Sequence, residues 1–210
     1  MSSGMYSTLS GAMAAGRNLR IISNNLANIN NSGFKRQETH FEALFRNQMQ
    51  ASSLGKGINF SRISHTSTDF SHGGLKRTDS YLDVAIEGDG FFKVAGEDGF
   101  SYTRKGNFQL REDGSLITPS GKQVVGEQGP IVLPSSQVSI DRDGTIRGEN
   151  GTVGRLSVYE VQDPAALERQ GNNLWSYDGE GEDRVSTGRK VRQGYLEESN
   201  VDPMQAMRAE

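Results

Sequence analysis

Asp-Gly pairs at 98–99, 113–114 and 143–144 punctuate a series of short apolar segments and narrow the folds open to this chain more than any other feature. From Tyr81 onward Leu82, Val84 and Ile86 alternate with other residues, and the segments FFKVAG, FSYTRKG, NFQLRE and SLITPS follow, parted by glycines. Alternation by two sends successive side chains to opposite faces of a strand. Asp-Gly supplies the positive φ angles that a tight hairpin turn needs. Further strands are expected at 138–140, 156–161 and 174–177. Residues 81–199 are therefore expected to form a mainly β body, an antiparallel sandwich or barrel.

The N-terminus follows a different period. Leu9, Met13, Leu19, Ile22, Leu26 and Ile29, with Gly16 on the same stripe, recur in steps of three and four and predict an amphipathic helix over residues 5–29. Arg17, Asn18, Arg20 and Asn24 occupy the opposite face. Gly4, Gly11 and Gly16 each cost about 1 kcal/mol against alanine inside a helix, so this one draws its stability from a partner. The small residues Gly11, Ala12, Ala14, Ala15 and Gly16 allow another helix to approach closely.

The helix runs into SNNLANINNSGFKR, which holds Asn24, Asn25, Asn28, Asn30 and Asn31. Asparagine competes for nearby backbone hydrogen bonds and so collects at caps and turns. Gly33 suits a left-handed turn position, and Phe34 supplies the apolar contact that follows it. Phe41, Leu44, Phe45 and Met49 predict a second short helix within 37–50, and the Ser/Gly/Thr-rich stretch from 51 to 80 reads as an extended linker.

At the other end Asp202 suits an N-cap, Pro203 the first helical position and Gln205 the reciprocal place of a capping box, with Met204 and Met207 opening an apolar stripe. A helix shorter than about 12 residues is marginal in water, so a truncated form of a longer chain is expected. The organisation expected is an N-terminal helix and turn over 1–36, a short helix and linker over 37–80, the β body over 81–199, and a C-terminal helix beginning within 200–210.

Several function classes fall away. The formal charge of −3 gives no reason to expect nucleic acid, and the absence of cysteine removes thiolate metal sites and cysteine nucleophiles. No run approaches 18 apolar residues, and no basic residue precedes Arg17, so neither membrane insertion nor a cleavable secretory signal is expected. Gly88 and Gly90 lack the third glycine of a dinucleotide fingerprint, and Gly121-Lys122 is followed by Gln123 where a phosphate loop needs Ser or Thr. The segment starting at Asp141 lacks the later ligands of a calcium loop, and His40, His65 and His72 lack metal-ligand spacing. No catalytic residue, metal or cofactor is expected.

Two helical ends that cannot stand alone, flanking a β body, suit a protein that buries them against copies of itself in a helical array. The motifs agree with that. SNNLANINNSGFKR, DVAIEGDGFFKV, YTRKGNFQLREDGSLITPSGKQVVG and GYLEESNVDP resemble, in order, the blocks of the bacterial flagellar basal-body rod and hook proteins. Asn31 stands where that family usually has threonine, and a full C-terminal helix is missing.

The resemblance implies a structural subunit exported unfolded through the flagellar type III apparatus, whose partners are itself and other axial proteins of the rod. It implies an inner helical layer, packed like a coiled coil from residues 5–29 and 203 onward, with the β body outside it. Leu9, Met13, Gly16, Leu19, Ile22, Leu26, Ile29, Met204 and Met207 would then form the assembly interface, and Asn24, Asn25, Asn28, Asn31, Gly33 and Phe34 the signature turn. GEQGPIVLP ahead of VSIDRDGTI looks most like the proximal rod type, with the distal rod type as the alternative. A periplasmic or surface β domain that binds a ligand through its loops is the rival reading from another class.

Overall fold

Residues 2–27 carry no proline and many alanines, and they form one α-helix, α1 (Ser2–Ala27), about 39 Å long at 1.5 Å per residue. The structure, a computed structural model, describes residues 2–45, 59–96, 99–149, 151–177, 184–186, 188 and 190–204; at 2–7, 10, 41–45 and 59–64 it describes the backbone alone. The chain divides into two units, 1–28 with 36–69 and 202–210, and 29–35 with 70–201.

In the first unit α1 is joined by an antiparallel pair of strands, β1 (Gln37–Phe45) and β2 (Asn59–Thr68), with a bulge between His40 and Phe41. This corrects two expectations. The short helix expected within 37–50 is a strand as far as Phe45, while residues 46–50 lie outside the described residues. Its four apolar residues fit either period over so short a span, and pairing with β2 satisfies the backbone of both segments. The supposed linker holds β2, because its threonines are β-branched and favour extended backbone as well as loops. Thr39 Oγ1 donates to Asn18 Oδ1 at 2.9 Å, which turns that residue of β1 towards α1.

The second unit is the β body. It opens with β3 (Leu75–Arg77), β4 (Val84–Glu87), β5 (Phe92–Gly96) and β6 (Gly99–Thr103). The main sheet is antiparallel and runs Leu167–Gly171, Leu174–Tyr177, β6, β5, Gln123–Gly126, Leu116–Ile117, Gln109–Leu110, with Gly129–Pro130 added beside Gln123–Gly126. A second antiparallel sheet joins Ser139–Ile140, Thr145–Gly148 and Gly151–Arg155.

The first and last strands of the body pair with each other. Strand Lys190–Gln193 pairs with β4, and Tyr195–Glu197 pairs with β3. The core holds Val84, Ile86, Phe92, Val94, Leu116, Val124, Ile146 and Leu156, and a second cluster gathers Phe91, Tyr102, Tyr159 and Leu167 around Trp175. The expected mainly β, antiparallel class is therefore present, with α1 as its one α-helix among the described residues.

Two of the Asp-Gly turns are built alike. Asp113 Oδ1 accepts the Ser115 N–H at 2.8 Å and Asp143 Oδ1 accepts the Thr145 N–H at 3.1 Å, with Gly114 and Gly144 at φ +84° and +87°. The Ser115 N–H holds the Asp113 carboxyl below the usual carboxylate range, and the Thr145 hydroxyl and N–H do the same for Asp143. A carboxyl lowered on folding stabilises above its unfolded pKa, and that contribution fades as pH falls through the folded value. The double variant Asp113→Asn/Asp143→Asn keeps both acceptor oxygens but not their charge, so its stability should lie slightly below the parent's at pH 7 and the difference should close from pH 5 to 3 in urea titrations. A glycine pair gives a second check. Gly121 (φ +82°) has open space around it, whereas a Cβ on Gly144 would strike the Leu156 carbonyl. Gly121→Ala should cost about 1–2 kcal/mol from left-handed strain alone, and Gly144→Ala at least twice as much.

Candidate assembly face and a buried ionic clasp

Along α1 the residues at 14, 18, 21 and 25 share one face. Ala14 and Asn25 are buried there, and Asn18 and Asn25 supply the hydrogen bonds to β1. Asn25 makes a two-way contact: its Nδ2 donates to Gln37 O at 2.9 Å and its Oδ1 accepts the Gln37 N–H at 3.0 Å. Asn28 Nδ2 donates to Asn24 O at 2.8 Å, covering one of the carbonyls that a helix end leaves without a partner. These asparagines close the helix and fasten it to a strand of its own chain.

The expected interface stripe lies elsewhere on the helix. Leu9, Met13, Leu19 and Leu26 are 56%, 56%, 55% and 42% exposed, so each leaves much of an apolar side chain in water. Gly16 is exposed with open space around it, and Ile22 is half-buried. Ile29 falls beyond the end of α1, in the turn. Asp202 Oδ1 accepts the Met204 N–H at 2.8 Å, as a helix cap does, and Met204 is exposed; Met207 lies outside the described residues.

The signature turn belongs to the β body, where it is clamped from several sides. Gly33 has φ +65°, and its N–H donates to Glu197 O at 2.8 Å. A Cβ at Gly33 would lie 2.6 Å from the Arg104 backbone carbon, so the position admits no side chain without displacement of main chain. The Phe34 N–H donates to Asn31 O at 3.2 Å, and Asn31 itself is exposed. Phe34 is 1% exposed, and the Arg169 guanidinium stacks over its ring at 4.8 Å. Arg169 also donates to Lys35 O at 2.5 Å and lies 6.0 Å from the ring of Trp175; burial pushes its pKa below the usual guanidinium value.

Lys35 is the residue that sequence reasoning missed. Its side chain is fully buried, and Nζ donates to Glu197 Oε1 at 2.7 Å and to Ser71 O at 2.6 Å. Glu197 Oε1 also accepts the Gly73 N–H at 3.1 Å, and its Oε2 lies 3.5 Å from Arg104 Nη1. Arg104, itself buried, donates to Gly88 O at 2.9 Å and contacts His72 Nδ1 at 3.2 Å. The Asn200 N–H reaches Phe34 O at 3.4 Å and its Nδ2 reaches Ser71 O at 3.2 Å. One carboxylate thus ties together segments 33–35, 71–73 and 197–200, all within the second unit. The chain crosses between its units after 28, 35, 69 and 201, so every crossing is within a few residues of this clasp. A lysine in a turn carries no sign of a partner 162 positions away; the nearest sequence cue was its place directly after Gly33-Phe34.

Removing one member of a buried ion pair leaves the other charge desolvated, at a cost of about 3–5 kcal/mol. Lys35→Met and Glu197→Gln should each lower the unfolding free energy of the body by an amount in that range, measured by urea titration and read from Trp175 fluorescence. The double variant should cost clearly less than the two singles added together; additive losses would show that the pair does not act as a unit.

Comparison with known proteins covers both regions. The profile of the flagella basal body rod protein matches residues 5–35, from α1 through Lys35, and that of the flagellar hook protein FlgE/F/G D1 domain matches residues 85–148 of the body. The chain is 33% identical over 212 residues to the flagellar basal-body rod protein FlgG of Buchnera aphidicola subsp. Schizaphis graminum, covering 88% of this chain and 80% of the relative. It is 32% identical over 213 residues to the flagellar basal-body rod protein FlgF of Rhizobium meliloti, covering 99% and 86%. Against FlgF of Caulobacter vibrioides it is 29% identical over 207 residues, covering 97% and 84%. These relatives are structural rod proteins, and this chain belongs to their family, the flagellar basal-body rod proteins.

Proposed function

We propose that this chain polymerises with copies of itself and with kindred axial subunits through α1 and the helix begun at Pro203, as part of the proximal segment of the periplasmic shaft that carries torque from motor to hook. The observation that carries this reading is the row of Leu9, Met13, Leu19 and Leu26, all exposed on a helix whose buried face is taken by Ala14 and Asn25. Burying a fully exposed aliphatic side chain of that size contributes about 1.5–3 kcal/mol, and these four are already about half covered, so together they offer roughly 3–6 kcal/mol before the costs of association.

Asn24 and Asn28 would add polar contacts beside that row, and Ile22, Ile29, Met204 and Met207 would extend it. Packed helices would form an inner layer, with the β body outside. The subunit would reach the periplasm unfolded through the flagellar type III apparatus. Proximal placement is supported by GEQGPIVLP ahead of VSIDRDGTI and by the short interval between Phe45 and Tyr81.

Leu26→Asp puts a charge into the proposed interface while leaving the body untouched. The variant should be secreted and keep the parent's Trp175 fluorescence and urea midpoint, yet a deletion strain carrying it should neither build rods nor swim. Normal motility would refute the interface. The proximal placement has its own check: basal bodies isolated from the deletion strain should stop before any distal rod, and a shaft lacking only its distal part would move the subunit there.

A further inference from the structure

His40 and His65 sit directly opposite each other on β1 and β2, at the bulge that follows His40. Their rings stack with centroids 4.5 Å apart and planes inclined by 18°. Thr39 points towards α1 through its bond to Asn18, so alternation sends His40 to the other face of the hairpin, and both imidazoles are exposed. His40 Nε2 lies 2.8 Å from Ser67 Oγ. With Nε2 donating there, the neutral ring carries its lone pair on Nδ1, and a second-atom hydrogen bond of this kind is how metal-ligating histidines are oriented.

We propose that His40 and His65 form a two-imidazole site for a divalent transition-metal ion, with solvent completing the coordination. Imidazole is a ligand of choice for zinc, nickel and copper. Two nitrogens bound to one zinc ion at about 2.0–2.1 Å and a tetrahedral angle are roughly 3.4 Å apart. In the stack the ring lone pairs lie in nearly parallel planes, so chelation requires both exposed rings to turn out of it about their side-chain torsions, while their opposite places on the paired strands keep them within reach of one ion. Pairing across antiparallel strands also fixes the chelate in the folded hairpin, because 24 residues separate the two histidines along the chain. The proposal does not depend on the assembly reading.

The chain has three histidines and no cysteine, which makes the test clean. Untagged full-length protein is labelled at the histidine rings, and copper(II) chloride is added below stoichiometry while the three ring signals are followed by NMR. The signals of His40 and His65 should broaden together, with that of His72 unaffected. In His40→Ala the His65 signal should no longer broaden at the same copper concentration, and in His65→Ala the His40 signal should likewise stay sharp. Zinc chloride should raise the thermal midpoint of the parent and of His72→Ala, and fail to raise that of either pair variant. Equal broadening of all three rings, broadening of only one member of the pair, or a zinc shift that survives loss of either imidazole would overturn the site.

Discussion

A single buried carboxylate organises this molecule. Glu197 neutralises Lys35, a side chain with no exposed surface, and its other oxygen faces the buried Arg104. Burying such charges costs several kcal/mol per ion, so they persist only where the partners are held in good geometry. The body supplies that geometry through backbone: Ser71 O accepts a second hydrogen bond from the ammonium and the Gly73 N–H donates to the carboxylate. Segments 33–35, 71–73 and 197–200 are thereby fastened to one folded core.

That arrangement explains why the signature turn is built from awkward residues. Gly33 is required because its left-handed backbone presses against Arg104 main chain, and Phe34 is required because it fills the space beneath the Arg169 guanidinium. The asparagines upstream act earlier in the same path, with Asn25 and Asn28 ending α1 and joining it to β1. The leucines of α1, by contrast, stand exposed.

Much of this was legible from local pattern. The β body announced itself through Asp-Gly turns and alternation, and those turns close as hairpins because Asp113 and Asp143 bond to the backbone two residues on. The helix was legible from its period, but its stripe runs towards solvent while a more polar face, Asn18 and Asn25, meets the hairpin; hydrophobicity alone ranks those faces the wrong way round. Residues 37–45 misled because Phe41, Leu44 and Phe45 in so short a span fit a helix as well as a strand, and the deciding partner, β2, lies in a Ser/Thr-rich segment that reads as loop. The clasp was invisible for a different reason. An ion pair between positions 35 and 197 has no local signature, and only the pairing of β3 and β4 with the last two strands brings it together.

The central claim is that the core and its clasp are complete in a single chain while the apolar stripe of α1 awaits neighbours. Amide hydrogen exchange on the dilute monomer, followed peptide by peptide, tests this most directly. Residues 29–35 should exchange as slowly as strands β4 to β6, and residues 5–27 should exchange orders of magnitude faster until polymerisation protects them. Slow exchange across α1 in the isolated monomer, or rapid exchange at Gly33–Lys35 within a protected body, would contradict the account.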